Sequence, residues 1–298
     1  MSPAPEIFLR PRALEPGDVI RVIAPSGPFE SRLVWRGLGW LAERYEVRFD
    51  RGIFTARGYL AGEDVRRARE LDAALDEPDV RAILCARGGY GASRFAHRIE
   101  WSRLRSSPRW LVGFSDVTAL HVEAARQGVA SIHGPNVTAL GQGNAPLREA
   151  LIDALERPHH VRRFDRLDVL ASGRVEGPLH GGNLTLLHAC AAAGRLALPR
   201  GVVLFLEDVT ERPYRIDRML ATLVAGGHLD AVSAFVLGDF TDCAPGRDGV
   251  TVLDVVREVL LPLGKPIVAG VPSGHGLVNE PLILGSHARV EGCCLELS

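Results

Sequence analysis

The sequence predicts an α/β protein built around a parallel sheet with helices on both faces. Apolar runs typical of buried strands alternate with segments of helical spacing, which is the arrangement that strand–helix–strand units produce. Length is the second observation, because 298 residues are long for one domain and comfortable for two. We expect an N-terminal parallel-sheet α/β domain and a smaller C-terminal α/β domain with extra β-strands.

The first half of the chain carries most of the alternation. Apolar or alternating runs predict strands at 19–24, 46–50, 82–86, 110–113 and 130–132. Helical spacing predicts helices at 31–43, 64–75 and 117–127. The second of these helices begins with Asp64, and a negative charge is favourable at the positive end of a helix dipole.

Residues 156–176 interrupt the alternation, since they are rich in Arg, Asp and His. We interpret this segment as a linker, which places the two domains at 1–155 and 177–298. The second domain is expected to contain strands at 202–206, 234–238 and 266–271 and a closing strand pair at 289–297. One helix is expected to follow the segment 177–183 and to end at residue 193, and two more are expected at 215–224 and 252–261.

Charge and composition argue against several functional classes. A net charge of -1 gives no electrostatic basis for binding nucleic acid or an anionic membrane. No apolar run approaches the length of a membrane span, and residues 1–12 lack the apolar core of a signal peptide, so a cytoplasmic protein is expected. The histidines lack H-E-x-x-H or another metal-binding spacing, so neither a metal nor a cofactor is expected.

Three short segments bring together the residue types of serine hydrolysis. Ser115, Glu207 and His275 each follow an apolar, strand-like run. A hydroxyl, an imidazole and a carboxylate at three strand ends can meet in one cleft as nucleophile, base and orienting group. The residues alone leave other roles open: Ser115 could cap the following helix, His275 could be a surface histidine, and Glu207 with Asp208 could cap a helix or pair with arginines.

A glycine-rich segment, Arg87-Gly88-Gly89-Tyr90-Gly91, follows the expected strand 82–86. Its glycines could let the backbone approach a ligand closely or could form a tight turn. It is not the G-x-G-x-x-G of dinucleotide-binding proteins, because position 94 is Arg. G-x-S-x-G is also absent, which disfavours an α/β-hydrolase elbow at Ser115.

Taken in order, the motifs resemble the LD-carboxypeptidase family of serine peptidases, which includes the microcin C immunity peptidases. Phe114 stands where relatives often have Tyr, and the segment after His275 is looser than the family pattern. The matching segments run through nearly the whole chain and are Ala24-Pro25-Ser26-Gly27, Arg87-Gly88-Gly89-Tyr90-Gly91, Gly113-Phe114-Ser115-Asp116, His133-Gly134-Pro135, Gly181-Gly182-Asn183-Leu184, Leu204-Phe205-Leu206-Glu207-Asp208, Pro213-Tyr214-Arg215-Ile216-Asp217-Arg218 and Gly274-His275-Gly276.

The resemblance implies a catalytic triad of Ser115, His275 and Glu207, with no metal and often a homodimer. The implied substrate is a murein tetrapeptide, cleaved between its L-centred diamino acid and the terminal D-Ala during cell-wall recycling. The backbone N–H groups of Asp116 and of Gly88 or Gly89 are the expected oxyanion hole. The candidate substrate-binding residues are Arg87, Tyr90 and Arg215.

Two other functions stay open at this stage. One is a microcin C-type immunity peptidase that cleaves aminoacyl-nucleotide amides. The other is a non-catalytic protein that binds cell-wall fragments or a small nucleotide through the loop 88–91. Residues 207–220 look closer to the murein-recycling branch of the family.

Overall fold

The computed structural model describes residues 7–298, and residues 1–6 of the segment considered for a signal peptide lie outside it. The strands in the described part are β1 (Val19–Ile23), β2 (Glu46–Phe49), β3 (Val80–Cys85), β4 (Trp110–Gly113), β5 (Ser131–His133), β6 (Arg162–Phe164), β7 (Asp168–Ala171), β8 (Arg174–Asn183), β9 (Val202–Val209), β10 (Val232–Thr241), β11 (Ile267–Ala269), β12 (Leu282–Leu284), β13 (His287–Glu291) and β14 (Cys294–Leu297). The α-helices there are α1 (Ser31–Ala42), α2 (Asp64–Asp76), α3 (Ser102–Ser106), α4 (Thr118–Arg126), α5 (Val137–Gly141), α6 (Ala145–Glu156), α7 (Leu184–Ala192), α8 (Pro213–Ala225) and α9 (Val252–Leu260).

The first sheet has the strand order β12-β5-β4-β3-β1-β2. Strands β1 to β5 pair in parallel, and β12 joins the edge of β5 in the antiparallel direction. The four residues of β4 and the outer residues of β1 are buried, as expected for strands covered on both faces. The parallel-sheet α/β prediction is confirmed. Because β1, β3 and β4 are parallel, the loops after their carboxyl ends meet at one edge of the sheet.

The second sheet has the order β6-β14-β13-β8-β9-β10-β11-β7. Its four central strands, β8 to β11, are parallel and the flanking strands are antiparallel. The outermost strands β6 and β7 fall inside 156–176, the segment expected to be a linker. Both are short edge strands with charged residues, and such residues protect a sheet edge but resemble a loop in sequence.

Strand β8 is a second difference from the sequence prediction, which assigned no strand to residues 177–183. The pair Gly181-Gly182 lies within the strand and faces β9 in parallel register, with Gly181 opposite Phe205. Glycine is depleted in strands, so its presence hides the strand from a propensity-based prediction.

The helices bury one hydrophobic cluster that extends through both halves of the chain. It includes Leu120 of α4 and Leu187 of α7 together with Leu204 of β9. One face of the first sheet packs against α1, α5 and α6, while a smaller cluster joins residues of the second sheet to Leu282 and Leu284 of β12. The division at 1–155 and 177–298 stays a prediction, although β12 adds a strand from the second segment to the first sheet. Within residues 7–298, no helix combines the length and apolarity needed to cross a membrane.

Candidate active site

Ser115 occupies a sharp turn between β4 and α4. The chain leaves β4 at Gly113, forms a 3₁₀ turn over Ser115–Val117 and enters α4 at Thr118. Ser115 is only partly exposed and has a φ of 65°. Non-glycine residues rarely adopt this conformation, and it is concentrated at functional sites. No side-chain capping bond is found at the start of this turn or of α4, so the structure gives no support to a capping role for Ser115.

The loop after β3 packs directly on this turn. A Cβ atom added to Gly88 would lie 2.8 Å from Ser115 Cβ and 3.1 Å from Ser115 Oγ. Only glycine therefore fits at position 88. On the other side of the loop, Ala92 donates its backbone N–H to Asp116 Oδ2 at 2.8 Å. Burial raises the pKa of the Asp116 carboxyl, and this bond opposes the shift. The glycine-rich loop is thus attached to the turn that carries Ser115.

Glu207 and His275 form a hydrogen bond across the second half of the protein. Glu207 lies on β9 and is fully buried, and His275 Nδ1 lies 2.7 Å from Glu207 Oε2. Burial raises the pKa of Glu207, while the hydrogen bond with His275 lowers it. The His275 side chain is 18% exposed, so its ring reaches the surface of the cleft. A buried carboxylate on one ring nitrogen leaves the other nitrogen available to the cleft.

The loop that carries His275 is held by its own hydrogen bonds. Gly274 donates its backbone N–H to Asn279 Oδ1 at 3.1 Å, and Ser273 Oγ donates to the carbonyl of Glu280 at 2.8 Å. Gly274 has a φ of 131°, and a Cβ there would lie 2.9 Å from Glu207 Oε2. Glycine is therefore required beside the Glu207 carboxylate. Sequence reasoning missed Asn279, because an asparagine in a loop carries no distinguishing signal.

Contacts between the two halves join residues next to Ser115 to His275 and to the strand partner of Glu207. The ring of Phe114, which precedes Ser115, lies 4.8 Å from the His275 ring between centroids. Thr118 Oγ1 accepts a 3.1 Å hydrogen bond from the backbone N–H of Asn183. Asn183 is the partner of Glu207 in the parallel pairing of β8 with β9. The turn of Ser115 is therefore joined to the strand pair that carries Glu207.

Asp208 has a different environment from its neighbour Glu207. Its Oδ1 accepts bonds from Asn183 Nδ2 at 3.1 Å and from the Val209 N–H at 2.8 Å. Its Oδ2 accepts bonds from both the N–H and the hydroxyl of Thr185 at 2.9 Å. The carboxylate thus binds the start of α7, and of the two neighbouring acids Glu207 is the one bonded to His275.

The three candidate substrate-binding residues lie on exposed loops or helix starts. Arg87 donates to the carbonyl of Pro28, and the Tyr90 ring packs edge-on against Tyr59 at 5.7 Å between centroids. Arg215 pairs with Glu211 at 3.4 Å. Arg87 directly precedes Gly88 in the chain. The guanidinium of Arg215, in contrast, forms an ion pair with the Glu211 carboxylate.

Three buried histidines lie beneath the site, and the sequence did not single out this group. His121, His133 and His180 are at most 1% exposed. Burial lowers the pKa of His121 and His180 to about 4 and lowers that of His133 well below its usual value. They are therefore neutral imidazoles at pH 7. Within residues 7–298, no three His, Cys, Asp or Glu side chains are grouped so that they could hold a metal ion.

The chain matches one protein family over both halves. Residues 20–134 match the LD-carboxypeptidase N-terminal domain, and residues 176–290 match the LD-carboxypeptidase C-terminal domain. It is 38% identical over 308 residues to a carboxypeptidase of Synechocystis sp., with 98% of this chain and 97% of that protein covered. It is also 38% identical to the murein tetrapeptide carboxypeptidase of Pseudomonas aeruginosa, over 78% of this chain and 80% of that protein.

Solved structures agree with this match. The muramoyltetrapeptide carboxypeptidase from Oxalobacter formigenes superposes with a TM-score of 0.84 at 28% identity, covering 94% of this chain and 97% of that one. The microcin C7 self immunity protein MccF, in complex with aspartyl sulfamoyl adenosine, has a TM-score of 0.86 at 21% identity, covering 99% and 98%. The second likeness shows a shared fold. The chain belongs to the LD-carboxypeptidase family of serine peptidases.

Proposed function

We propose that this protein hydrolyses the L,D peptide bond that joins a diamino acid to the terminal D-Ala of a murein tetrapeptide, by a Ser115–His275–Glu207 triad. The observation that carries the proposal is the 2.7 Å hydrogen bond between His275 Nδ1 and the buried Glu207 Oε2. A buried carboxylate in this position fixes the tautomer and orientation of an imidazole that acts as a base.

The first step is attack by Ser115 Oγ on the carbonyl carbon of the L,D bond. His275 accepts the hydroxyl proton through Nε2, and Glu207 stabilises the imidazolium that forms. His275 then gives the proton to the amine of the leaving D-Ala, and the C–N bond breaks. Water, deprotonated by the same imidazole, attacks the acyl-enzyme; the ester bond breaks, the imidazolium returns the proton to Ser115 Oγ, and the tripeptide leaves with a free carboxylate.

The negative oxygen that forms during each attack needs backbone donors. We assign this role to the N–H of Asp116 with that of Gly88 or Gly89. The close approach of Gly88 to Ser115, with room for no Cβ, supports the assignment. N–H groups held rigidly at the reacting carbonyl stabilise charge that develops only in the transition state.

A carboxypeptidase also has to recognise the carboxylate at the end of its substrate. Of the two predicted arginines, Arg87 has the better support, since it precedes Gly88 and donates to a backbone carbonyl rather than to an acid. Arg215 is paired with Glu211 at 3.4 Å. Arginine suits this task because its planar guanidinium can bind a carboxylate with two parallel hydrogen bonds.

The decisive experiment is to incubate the protein with murein tetrapeptide and to quantify tripeptide and free D-Ala. A tetrapeptide ending in L-Ala is the matched substrate control, and Ser115→Ala is the matched protein control. We expect release of D-Ala by the native protein alone. A parallel reaction with an aminoacyl sulfamoyl nucleoside tests the immunity-type reaction.

The outcomes separate the three functions considered above. Turnover of the nucleoside without turnover of the tetrapeptide would assign the immunity-type reaction. Tight binding of tetrapeptide with no cleavage, and no labelling of Ser115 by a serine-reactive phosphonate, would assign a binding protein.

A further inference from the structure

Asp239 is an acidic residue beside His275 to which the triad gives no role. In the pairing of β9 with β10, Leu206 faces Leu237 and Asp208 faces Phe240. The two residues Gly238 and Asp239 therefore stand opposite Glu207 alone, which is a β-bulge. Bulges occur next to active sites, where they redirect a side chain.

The bulge turns Asp239 towards the loop of His275. The backbone N–H of Asp239 donates to the Ser273 carbonyl at 3.0 Å, and its Oδ2 accepts from the Gly276 N–H at 3.3 Å. These bonds lie on the two sides of His275 in the chain. Asp239 and Glu207 thus contact the same loop from neighbouring strands. Glu207 is buried, whereas Asp239 is partly exposed.

The carboxylate of Asp239 has no cation of its own. Among residues 7–298, no Arg, Lys or His nitrogen lies within the 4.0 Å that defines a salt bridge. Partial burial raises its pKa, and the Gly276 N–H and His275 oppose the shift. An acid that is partly desolvated and lacks a counter-ion is stabilised when a ligand brings a positive charge.

We propose that Asp239 binds the ammonium group of the substrate's diamino acid and makes the site selective for a cationic side chain before the cleaved bond. The proposal rests on the proposed function, because the diamino acid belongs to the murein tetrapeptide. Asp239 would recognise the side chain of this amino acid, while Ser115, His275 and Glu207 act on the peptide bond that follows it. A charge-assisted hydrogen bond is about twice as strong as a neutral one, so it can set substrate preference.

The competing explanation is that Asp239 only holds the His275 loop through Gly276. Asp239→Asn separates the two, because the amide oxygen can still accept the Gly276 N–H while the negative charge is lost. Asp242→Asn is the matched control: Asp242 is exposed just after the end of β10 and has a φ of 55°, which Asn tolerates.

The test uses two tetrapeptides that differ in one charge, with either lysine or Nε-acetyl-lysine as the third residue. The native protein is expected to prefer the lysine peptide. In Asp239→Asn, kcat/KM for the lysine peptide should fall about tenfold, while that for the acetylated peptide changes by less than about threefold. Asp242→Asn should keep the native ratio. Labelling of Ser115 by a phosphonate at the native rate shows that the Asp239→Asn site is folded.

Equal losses for both peptides in Asp239→Asn would overturn the inference and leave Asp239 as a loop anchor. A native protein that cleaves both peptides equally well would overturn it without any variant. Neither result touches the proposed function, which is tested separately by D-Ala release from murein tetrapeptide and its loss in Ser115→Ala.

Discussion

The backbone N–H of Asn183 donates a 3.1 Å hydrogen bond to the side-chain oxygen of Thr118. This bond joins the end of β8 in the second sheet to the first residue of α4, the helix that follows Ser115. Because Asn183 is also the strand partner of Glu207, one bond relates the position of the proposed nucleophile to that of the proposed acid. Thr118 therefore provides a direct, buried contact between the two halves of the protein beside the site.

Replacing Thr118 with Val should reduce both activity and stability. The shape is kept, but the buried N–H of Asn183 loses its acceptor, which costs about 1–3 kcal/mol. We expect a lower unfolding temperature together with a fall in kcat. Thr118→Ser keeps the oxygen and serves as the control, so equal kinetics in the two variants would contradict a positioning role for this bond.

Ser115→Ala should lower turnover by on the order of a thousandfold or more, the loss typical of a missing triad nucleophile. It should stay folded, since the hydroxyl adds little packing. The φ of 65° adds a second expectation: Ser115→Gly, equally inactive, should be more stable than Ser115→Ala. Turnover and thermal unfolding of both variants check the two statements. Near-native turnover in either would remove Ser115 from the mechanism.

Glu207→Gln and Asp208→Asn should differ in their effects on the pH profile of activity and on stability. Glu207→Gln removes the negative charge that stabilises the imidazolium, so the acid limb of the kcat/KM profile should move to lower pH and the rate should fall. Asp208→Asn should lower stability without moving the acid limb, because its carboxylate binds Asn183, Thr185 and Val209 rather than His275. The measurement is a pH profile of each variant on one substrate. An acid limb that stays in place in Glu207→Gln would exclude Glu207 from the triad.

Gly88→Ala should damage catalysis through a clash. The new Cβ would lie 2.8 Å from Ser115 Cβ, so either the loop or the serine has to move. We expect kcat to fall at least tenfold, in line with the loss of an oxyanion donor. Gly39→Ala on α1 is the matched control, since nothing lies within 4 Å of a Cβ there. That variant should keep full activity, and a Gly88→Ala protein with native kcat would argue against Gly88 in the oxyanion hole.

Acid should destabilise the protein through the buried histidines. The pKa of His121 and of His180 is about 4 in the folded protein, compared with about 6.5 in an unfolded chain. Between these values the unfolded state binds more protons, so stability falls as the pH drops from about 6.5 to about 4. Urea unfolding at pH 7.5 and pH 5 should show a loss on the order of 1–2 kcal/mol for each such imidazole.

His180→Leu offers a check on the origin of this loss. Neither ring nitrogen of His180 has a hydrogen-bond partner among the described residues, so an apolar side chain can replace it. The variant should show a smaller pH dependence than the native protein. A pH dependence of unchanged size would place the proton uptake elsewhere.

Local pattern was sufficient to predict the main strands and the loops that bear Ser115 and His275. Parallel strands carry their functional residues at their carboxyl ends, so an apolar run followed by a polar residue is informative. The same pattern could not predict β12, because three residues have no measurable period and their pairing with β5 is fixed by contacts about 150 positions apart.

The details that position the site were also beyond the sequence. The left-handed turn at Ser115 is imposed by tertiary structure, since serine does not favour this conformation. The bulge that turns Asp239 towards His275 depends on how β10 pairs with β9, and a single chain pattern does not specify register at that level. The Asn183–Thr118 hydrogen bond joins residues 65 positions apart, and neither residue type indicates in the sequence which group it will bind.

The antiparallel pairing of β12 with β5 has a consequence for how the protein folds while it is being synthesised. Once α6 has left the ribosome, the first sheet is complete except at the β5 edge, which waits for a strand synthesised about 125 residues later. At about 5–20 residues per second, the wait lasts roughly 10 s. During that interval an unpaired strand edge is open to association with other nascent chains. Slow translation of the second half would therefore lower the yield of soluble enzyme more than slow translation of the first.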